Sequence, residues 1–230
     1  MSSFRKQNIV AIDGPAGAGK STVARLVAKR LKYFYIDTGA MYRALTLKAL
    51  QEGIDFKDEK ALEKVSASTA IQLHKDRNGN LRVFLDGNDV TERIRDKDVN
   101  LHISLLSKVK AVRNNMVARQ RNMGKKGRVV LEGRDIGTVV FPQARYKFYL
   151  DADFHERVKR RYREFILKGK RISLSAVKRD LLRRDRSDKL RKIAPLKKAS
   201  DAVYIDTTNL GIEEVVEIIL NYVKANTHQR

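Results

Sequence analysis

The run Gly14-Pro15-Ala16-Gly17-Ala18-Gly19-Lys20-Ser21 constrains this chain more than any other feature. It lies between a short apolar run, Asn8–Ile12, and a segment with apolar residues at Val23, Leu26, Val27 and Leu31. The first reads as a strand and the second as an amphipathic helix. A strand turning through glycines into a helix, with the pattern G-x-x-x-x-G-K-[ST], is a phosphate cradle. The glycines let backbone N–H groups turn inward around phosphate oxygens, and the helix N-terminus adds a favourable dipole. In such a loop Lys20 reaches the β- and γ-phosphates of a nucleotide, and the Ser21 hydroxyl ligates Mg²⁺.

The same alternation continues along the chain. Tyr33–Ile36, Arg128–Leu131, Arg145–Leu150 and Val203–Ile205 read as further strands, and Ile212, Val215, Val216, Ile219, Leu220 and Val223 form a helical stripe. Strands separated by helices predict an α/β fold, a five-stranded parallel sheet flanked by helices, with ligands bound where the strands end. Two segments break the rhythm. Ala70–His74 and Leu81–Leu85 flank the turn signal Asp76-Arg77-Asn78-Gly79-Asn80, with a second turn at Asp86-Gly87-Asn88-Asp89, which predicts a small antiparallel insert. Residues 153–195 read as two basic helices separated near Gly169, too charged to pack deep in a core.

With 49 Lys and Arg against 27 Asp and Glu, the net charge is +22, which calls for anionic partners without choosing among nucleic acid, acidic lipid and phosphorylated small molecules. The absence of cysteine excludes disulfides and thiolate metal sites, and His74, His102, His155 and His228 lack metal-ligand spacing. No apolar stretch approaches the roughly 20 residues a membrane span needs, so a cytoplasmic protein is expected. Asp153 and Glu156 read as a helix cap, and residues 226–230 as a frayed end.

A guanine-reading N-K-x-D motif is absent, as is the strand ending in an Asp-Glu pair that motor ATPases use. The strands end instead in single acids, Asp37 and Asp151. Asp37 reads equally as a water-mediated Mg²⁺ contact or as a cap on the following helix. Arginines stand where ligands are expected: Arg43, Arg134 just past a strand, and Arg184 and Arg191 bracketing Asp185 and Asp188. Phosphoryl transfer needs positive charge over the equatorial oxygens, and guanidinium grips phosphate bidentately.

Four segments in order carry a resemblance: the glycine loop, Asp37-Thr38-Gly39-Ala40-Met41-Tyr42-Arg43, Glu132-Gly133-Arg134-Asp135-Ile136-Gly137-Thr138-Val139-Val140-Phe141-Pro142, and Arg191-Lys192-Ile193-Ala194-Pro195-Leu196. Over almost its whole length the chain resembles bacterial cytidylate kinases. The resemblance implies a P-loop kinase moving the γ-phosphoryl group of ATP, with Mg²⁺, to CMP and dCMP in pyrimidine metabolism. It implies a monomer, with a P-loop core over 1–62, 97–152 and 196–230, a monophosphate-binding insert over 63–96 and a helical lid over 153–195.

By position, the resemblance gives ATP to residues 14–22 (Gly14, Pro15, Ala16, Gly17, Ala18, Gly19, Lys20, Ser21 and Thr22), with Arg157, Arg160 and Arg161 closing over it. Arg43, Arg134 and Arg191 resemble the grip on the acceptor phosphate, with Thr38 and Tyr42 beside them. Ser104, Arg113 and Asp135 resemble the cytosine readers, and Arg184 and Asp188 the ribose contacts. Lys189 departs from the small hydroxyl that often follows that aspartate. Lys20, Arg134, Arg184 and Arg191 are then the catalytic set, and Ser21 and Asp37 the metal contacts. The chemistry agrees: a carboxylate at 135 accepts from the cytosine amino group and opposes the uracil carbonyl, and such unpaired polar groups discriminate strongly. Two other readings stay open here: a kinase for UMP or dTMP, and a nucleotide-switched RNA- or ribosome-associated protein, which the charge motivates. The RNA-stacking signatures of the latter are missing, so nucleic-acid affinity is expected to be incidental.

Overall fold

The computed structural model describes residues 8–167, 169 and 171–227. In chain order the elements are β1 (Ile9–Asp13), α1 (Lys20–Leu31), β2 (Phe34–Asp37), α2 (Thr38–Gln51), α3 (Glu59–Ser68), β3 (Ile71–Lys75), β4 (Leu81–Leu85) and β5 (Asn88–Asp89). There follow α4 (Lys97–Leu106), α5 (Lys110–Gly124), β6 (Val129–Gly133), β7 (Tyr146–Asp151), α6 (Phe154–Leu167), α7 (Leu174–Leu190), β8 (Val203–Asp206) and α8 (Ile212–Ala225). They group into two compact units, one of residues up to Tyr35 with those from Lys126 onward, the other Ile36–Lys125.

The expected parallel sheet is present, in the order β2-β6-β1-β7-β8. All five residues of β1 are buried, because this central strand is covered on both faces. It pairs in parallel with β6 and β7, and β7 pairs in parallel with β8. Each strand starts or ends a residue or two later than the apolar run predicts. The ladder continues through polar strand ends: Asp13 is in register with Gly133 and with Tyr149, and Asp151 with Asp206. α1 buries Val23, Ala24, Val27 and Ala28, with Leu26 and Leu31 half-buried, and α8 buries Val215, Val216, Ile219, Leu220 and Val223, whereas Ile212, expected in the same stripe, is exposed in its first turn. Arg145 donates to the carbonyls of Asn226 and Thr227, so the expected fraying does not include these two. Residues 228–230, His228 among them, lie outside the described residues.

In the second unit the insert is a three-stranded antiparallel sheet, β3-β4-β5, one strand more than expected. β5 has only Asn88 and Asp89, both exposed, so it carries no apolar period to read. Leu73, Val83 and Leu85 face inward, and α2 is buried on most of its circumference.

The basic segment packs more than its composition suggests. Val158 of α6 and Val177 and Leu181 of α7 form a small core with Ala16 of the glycine loop, flanked by Phe154, Tyr162, Phe165 and Ile172. Asp153 caps α6, its Oδ1 accepting from the backbone N–H of His155 and Glu156 at 2.8 and 3.2 Å. No helix among the described residues is long and apolar enough to cross a membrane.

Gly14 is where the fold commits the loop to its shape. Its φ is +147°, and a Cβ there would lie 1.9 Å from the carbonyl oxygen of Leu150 in β7. Backbone rather than side chain is in the way, so nothing can move aside cheaply. Gly14→Ala is expected to cost about 3 kcal/mol or more, a Tm drop of roughly 10 °C in a chain of this size, as thermal unfolding by circular dichroism would measure.

Candidate active site

The glycine loop leaves β1 with three glycines at positive φ, Gly14, Gly17 and Gly19. Lys20, the first residue of α1, is buried, and its Nζ donates to the carbonyl of Pro15 at 2.6 Å. The lysine tail is thus folded over its own loop. Burial, then the nearby Arg134 guanidinium, pull its pKa down to about 7 against the opposing pull of Glu132, Asp188 and Asp13. Ser21 is exposed and Thr22 half-buried.

Beyond β6, Arg134 and Asp135 lead into a single wide turn, Ile136–Val140, in which Val140 and Phe141 donate to carbonyls five residues back. Such wide turns recur at functional sites. Arg134 Nε donates to Asp188 Oδ2 at 2.7 Å. Arg191 lies 3.4 Å from Asp135 Oδ1 and 4.0 Å from Asp188 Oδ1, and both Arg191 and Asp135 are buried. Burial alone would lift Asp188 and lower Arg134, but their mutual attraction wins: the carboxyl is held below its usual range and the guanidinium above. Arg184 has a weaker partner, Asp180 at 3.8 Å; burial and the repulsion of Arg134 pull it down to about 10. Arg134, Asp135, Arg184, Asp188 and Arg191 therefore form one charged cluster, buried at Asp135 and Arg191 and half-buried at the other three, whose field reaches Lys20.

The helix α7 explains how. Its inward face runs Val177, Leu181, Arg184, Asp185, Asp188, so the apolar stripe of its first half becomes charged in its second. Arg157 of α6, also buried, donates to Asp185 Oδ2 at 2.6 Å and to the carbonyl of Ala16 at 3.1 Å. Arg160 donates to the carbonyls of Thr207 and Thr208 at 2.6 and 3.1 Å, and Arg161 lies over the Phe165 ring, 4.4 Å from its centroid. Of the three expected lid arginines, Arg157 thus touches the glycine loop itself.

The second unit holds the remaining expected residues. Asp37 caps α2, its Oδ1 accepting from Ala40 N at 2.7 Å, while Oδ2 pairs with Arg43 at 3.0 Å. The capping reading is the one seen, and both oxygens are engaged. Thr38 is buried in the first turn of α2. Arg113 is buried, lies over the Tyr42 ring at 5.8 Å and donates to Ser107 O at 3.3 Å, while Ser104 is half-buried on α4.

Known proteins with these features agree with one another. The Cytidylate kinase family profile matches residues 10–225. The chain belongs to the cytidylate kinase family. It is 53% identical over 214 residues to a cytidylate kinase of Geobacillus sp. (strain WCH70), covering 93% of this chain and 95% of that one. It is 48% identical over 221 residues to that of Bacillus subtilis (strain 168), covering 96% and 98%. Among solved structures, an uncharacterised protein from Eubacterium ventriosum ATCC 27560 aligns over 96% of this chain and 100% of its own, with TM-score 0.52 at 12% identity, a likeness of fold alone. The chain is an ATP-dependent nucleoside monophosphate kinase, with Lys20 and the Arg134 cluster in its P-loop unit.

Two buried acids in that unit were not singled out by the sequence. Glu132 accepts from the Tyr35 hydroxyl at 2.7 Å. Asp13 accepts from Ile136 N and Gly137 N, both at 2.8 Å, and burial pushes its carboxyl up to about 6. The signal was present: Asp13 is one acid closing an otherwise wholly apolar strand, Ile-Val-Ala-Ile-Asp.

The Lys20 shift makes a signed prediction. At pH 8 a lysine titrating near 7 is mostly neutral, and a triphosphate placed on it favours the charged form. ATP binding at pH 8 should therefore take up about one proton, measured by calorimetry in buffers of different ionisation enthalpy, and Lys20→Met should abolish the uptake.

Proposed function

We propose that this member of the family transfers the γ-phosphoryl group of ATP to CMP and dCMP, giving ADP and CDP or dCDP. The observation that carries the reading is the cluster of Arg134, Arg184 and Arg191 with Asp135 and Asp188, buried or half-buried throughout and felt electrostatically by Lys20. Each guanidinium is held by an acid, Asp188, Asp180 or Asp135, and together they present a converging set of donors suited to an anionic phosphate.

In this reading residues 14–22 hold the ATP phosphates. Lys20 leaves the Pro15 carbonyl for the β- and γ-phosphates. Arg43, Arg134 and Arg191 hold the CMP phosphate, with Thr38 and Tyr42 beside it; Arg184 and Asp188 hold the ribose, and Ser104, Arg113 and Asp135 read cytosine. An oxygen of the CMP phosphate attacks the γ-phosphorus, the bond to the β-bridging oxygen breaks, and ADP departs with that oxygen's charge. The acceptor is already an anion, so no general base is required; positioning and preorganised charge lower the barrier.

The exposed Ser21 hydroxyl suits Mg²⁺, which takes most of its ligands from nucleotide phosphates and water rather than from an acid cluster. Ser21, with Asp37 as the second expected contact, would hold Mg²⁺, which would supply charge neutralisation for the triphosphate. Residues 153–195 act as a lid, with Arg157, Arg160 and Arg161 turning to ATP and water excluded as a competing acceptor. Residues 63–96 serve as the monophosphate-binding insert, and 1–62, 97–152 and 196–230 as the core. The enzyme works as a cytoplasmic monomer. The exposed Lys178, Arg179, Arg183, Arg186 and Lys189 give it incidental, salt-sensitive affinity for nucleic acid.

ADP release measured across CMP, dCMP, UMP and dTMP tests this directly; UMP or dTMP preferred over CMP would overturn it. Arg134→Ala should lower kcat/KM for CMP about 10²–10³-fold with the circular dichroism spectrum unchanged. Asp135→Ala should instead erode the preference for CMP over UMP.

A further inference from the structure

Asp13, covalently joined to the glycine loop, is tied by two hydrogen bonds to the turn that follows Arg134. It is the last residue of β1, directly before Gly14. Its two carboxylate oxygens each accept a 2.8 Å bond, from the N–H groups of Ile136 and Gly137, and its side chain is 4% exposed. Those two amides open the turn that follows Arg134 and Asp135, and Asp135 itself makes no side-chain cap there. One carboxylate on the phosphate-loop strand thus takes the place of a local cap and ties the neighbouring strand's catalytic pair to it. We propose that Asp13 is a positioning residue that sets Arg134 and Asp135 in register with the phosphate loop, and so governs both phosphoryl transfer and the choice of base.

A carboxylate is needed here rather than any polar group. Both donors are main-chain amides, so both atoms facing them must accept. An asparagine presents one acceptor and one donor, setting an N–H against an N–H. Gly137 tightens the contact from the other side. A Cβ at 137 would lie 3.2 Å from Lys147 Cδ and in ordinary contact, 3.4 Å, with Asp13 Oδ2, so either Lys147 or the Gly137 backbone whose amide Asp13 holds must give by a few tenths of an ångström. The two positions perturb one contact by different means. Asp13→Asn also removes a negative charge near Lys20, whereas Gly137→Ala leaves every charge in place.

This inference rests on the proposed CMP kinase reaction, and the test separates the two. ADP release with CMP and with UMP is measured for wild type, Asp13→Asn and Gly137→Ala, alongside Tm and the KM for ATP. Both variants are expected to lose about 10–100-fold in kcat, since small misplacements of catalytic groups carry costs of that order. The CMP to UMP ratio is expected to fall about tenfold in both, with the KM for ATP within about threefold of wild type, as a lost fraction of base-reading contacts implies. Wild-type kcat and ratio in Asp13→Asn overturn the inference. So does a fall in kcat matched by an equal loss of ATP binding with the CMP to UMP ratio unchanged, because that marks a scaffold residue only. Should Asp13→Asn not fold, the same two criteria applied to Gly137→Ala decide. A wild-type enzyme inactive toward CMP overturns the function and this inference together; an active wild type with unaltered variants overturns this inference alone.

Discussion

Positive charge kept out of water is the constraint around which the P-loop unit is arranged. Arg134 depresses the ionisation of both Lys20 and Arg184, with Asp188 opposing it at each. Desolvating a cation costs several kcal/mol unless it is paired. The pairs present, Arg134 with Asp188 and Arg191 with Asp135, offset part of that cost. Preorganisation of this kind is useful in phosphoryl transfer because charge waiting in place needs no rearrangement at the moment of reaction.

This arrangement explains why the surroundings are so heavily tied to main chain. Arg157 holds the Ala16 carbonyl while pairing with Asp185; Arg160 holds the carbonyls after β8; Lys147, itself buried, pairs with Asp201 at 2.7 Å. Repelling cations placed on loose loops would drift apart. Anchored to carbonyls at strand ends, they stay. The small apolar cluster of Val158, Val177 and Leu181 with Ala16 adds the packing that charge alone does not supply.

How much of this was legible in the sequence follows from the range of each signal. The glycine loop, the five strands and the α1 and α8 stripes are local patterns, read within ten or so residues. Arg134, Arg184, Asp188 and Arg191 were legible by resemblance and by their place after a strand or along a helix face. The partners were not legible. Arg134 meets Asp188 and Asp13 meets Gly137 across 54 and 124 residues of chain, distances over which no periodicity carries information. Asp37 shows the limit of local reading: capping and metal contact ask for the same acid at the same strand end, and only the 2.7 Å bond from Ala40 N shows the cap. β5 escaped because two exposed residues have no period.

The net charge of +22 and the chemistry of the site are separable. Inside, the charges are nearly balanced pairs on the buried face of α7, Arg184, Asp185 and Asp188 among them. Outside, the same helix presents Lys178, Arg179, Arg183, Arg186 and Lys189 to solvent without an equal number of acids. Charges separated by bulk water and more than a Debye length of about 8 Å are largely screened at physiological salt. Outer lysines and arginines so screened do little to the barrier for phosphoryl transfer and act chiefly on encounter with anions. A helix can thus carry two charge patterns with different consequences, one set by pairing in a dry interior and the other by the ionic strength around it. Reading composition alone merges the two, which is why a strongly basic chain suggested nucleic acid while the inward face of α7 carries paired charges.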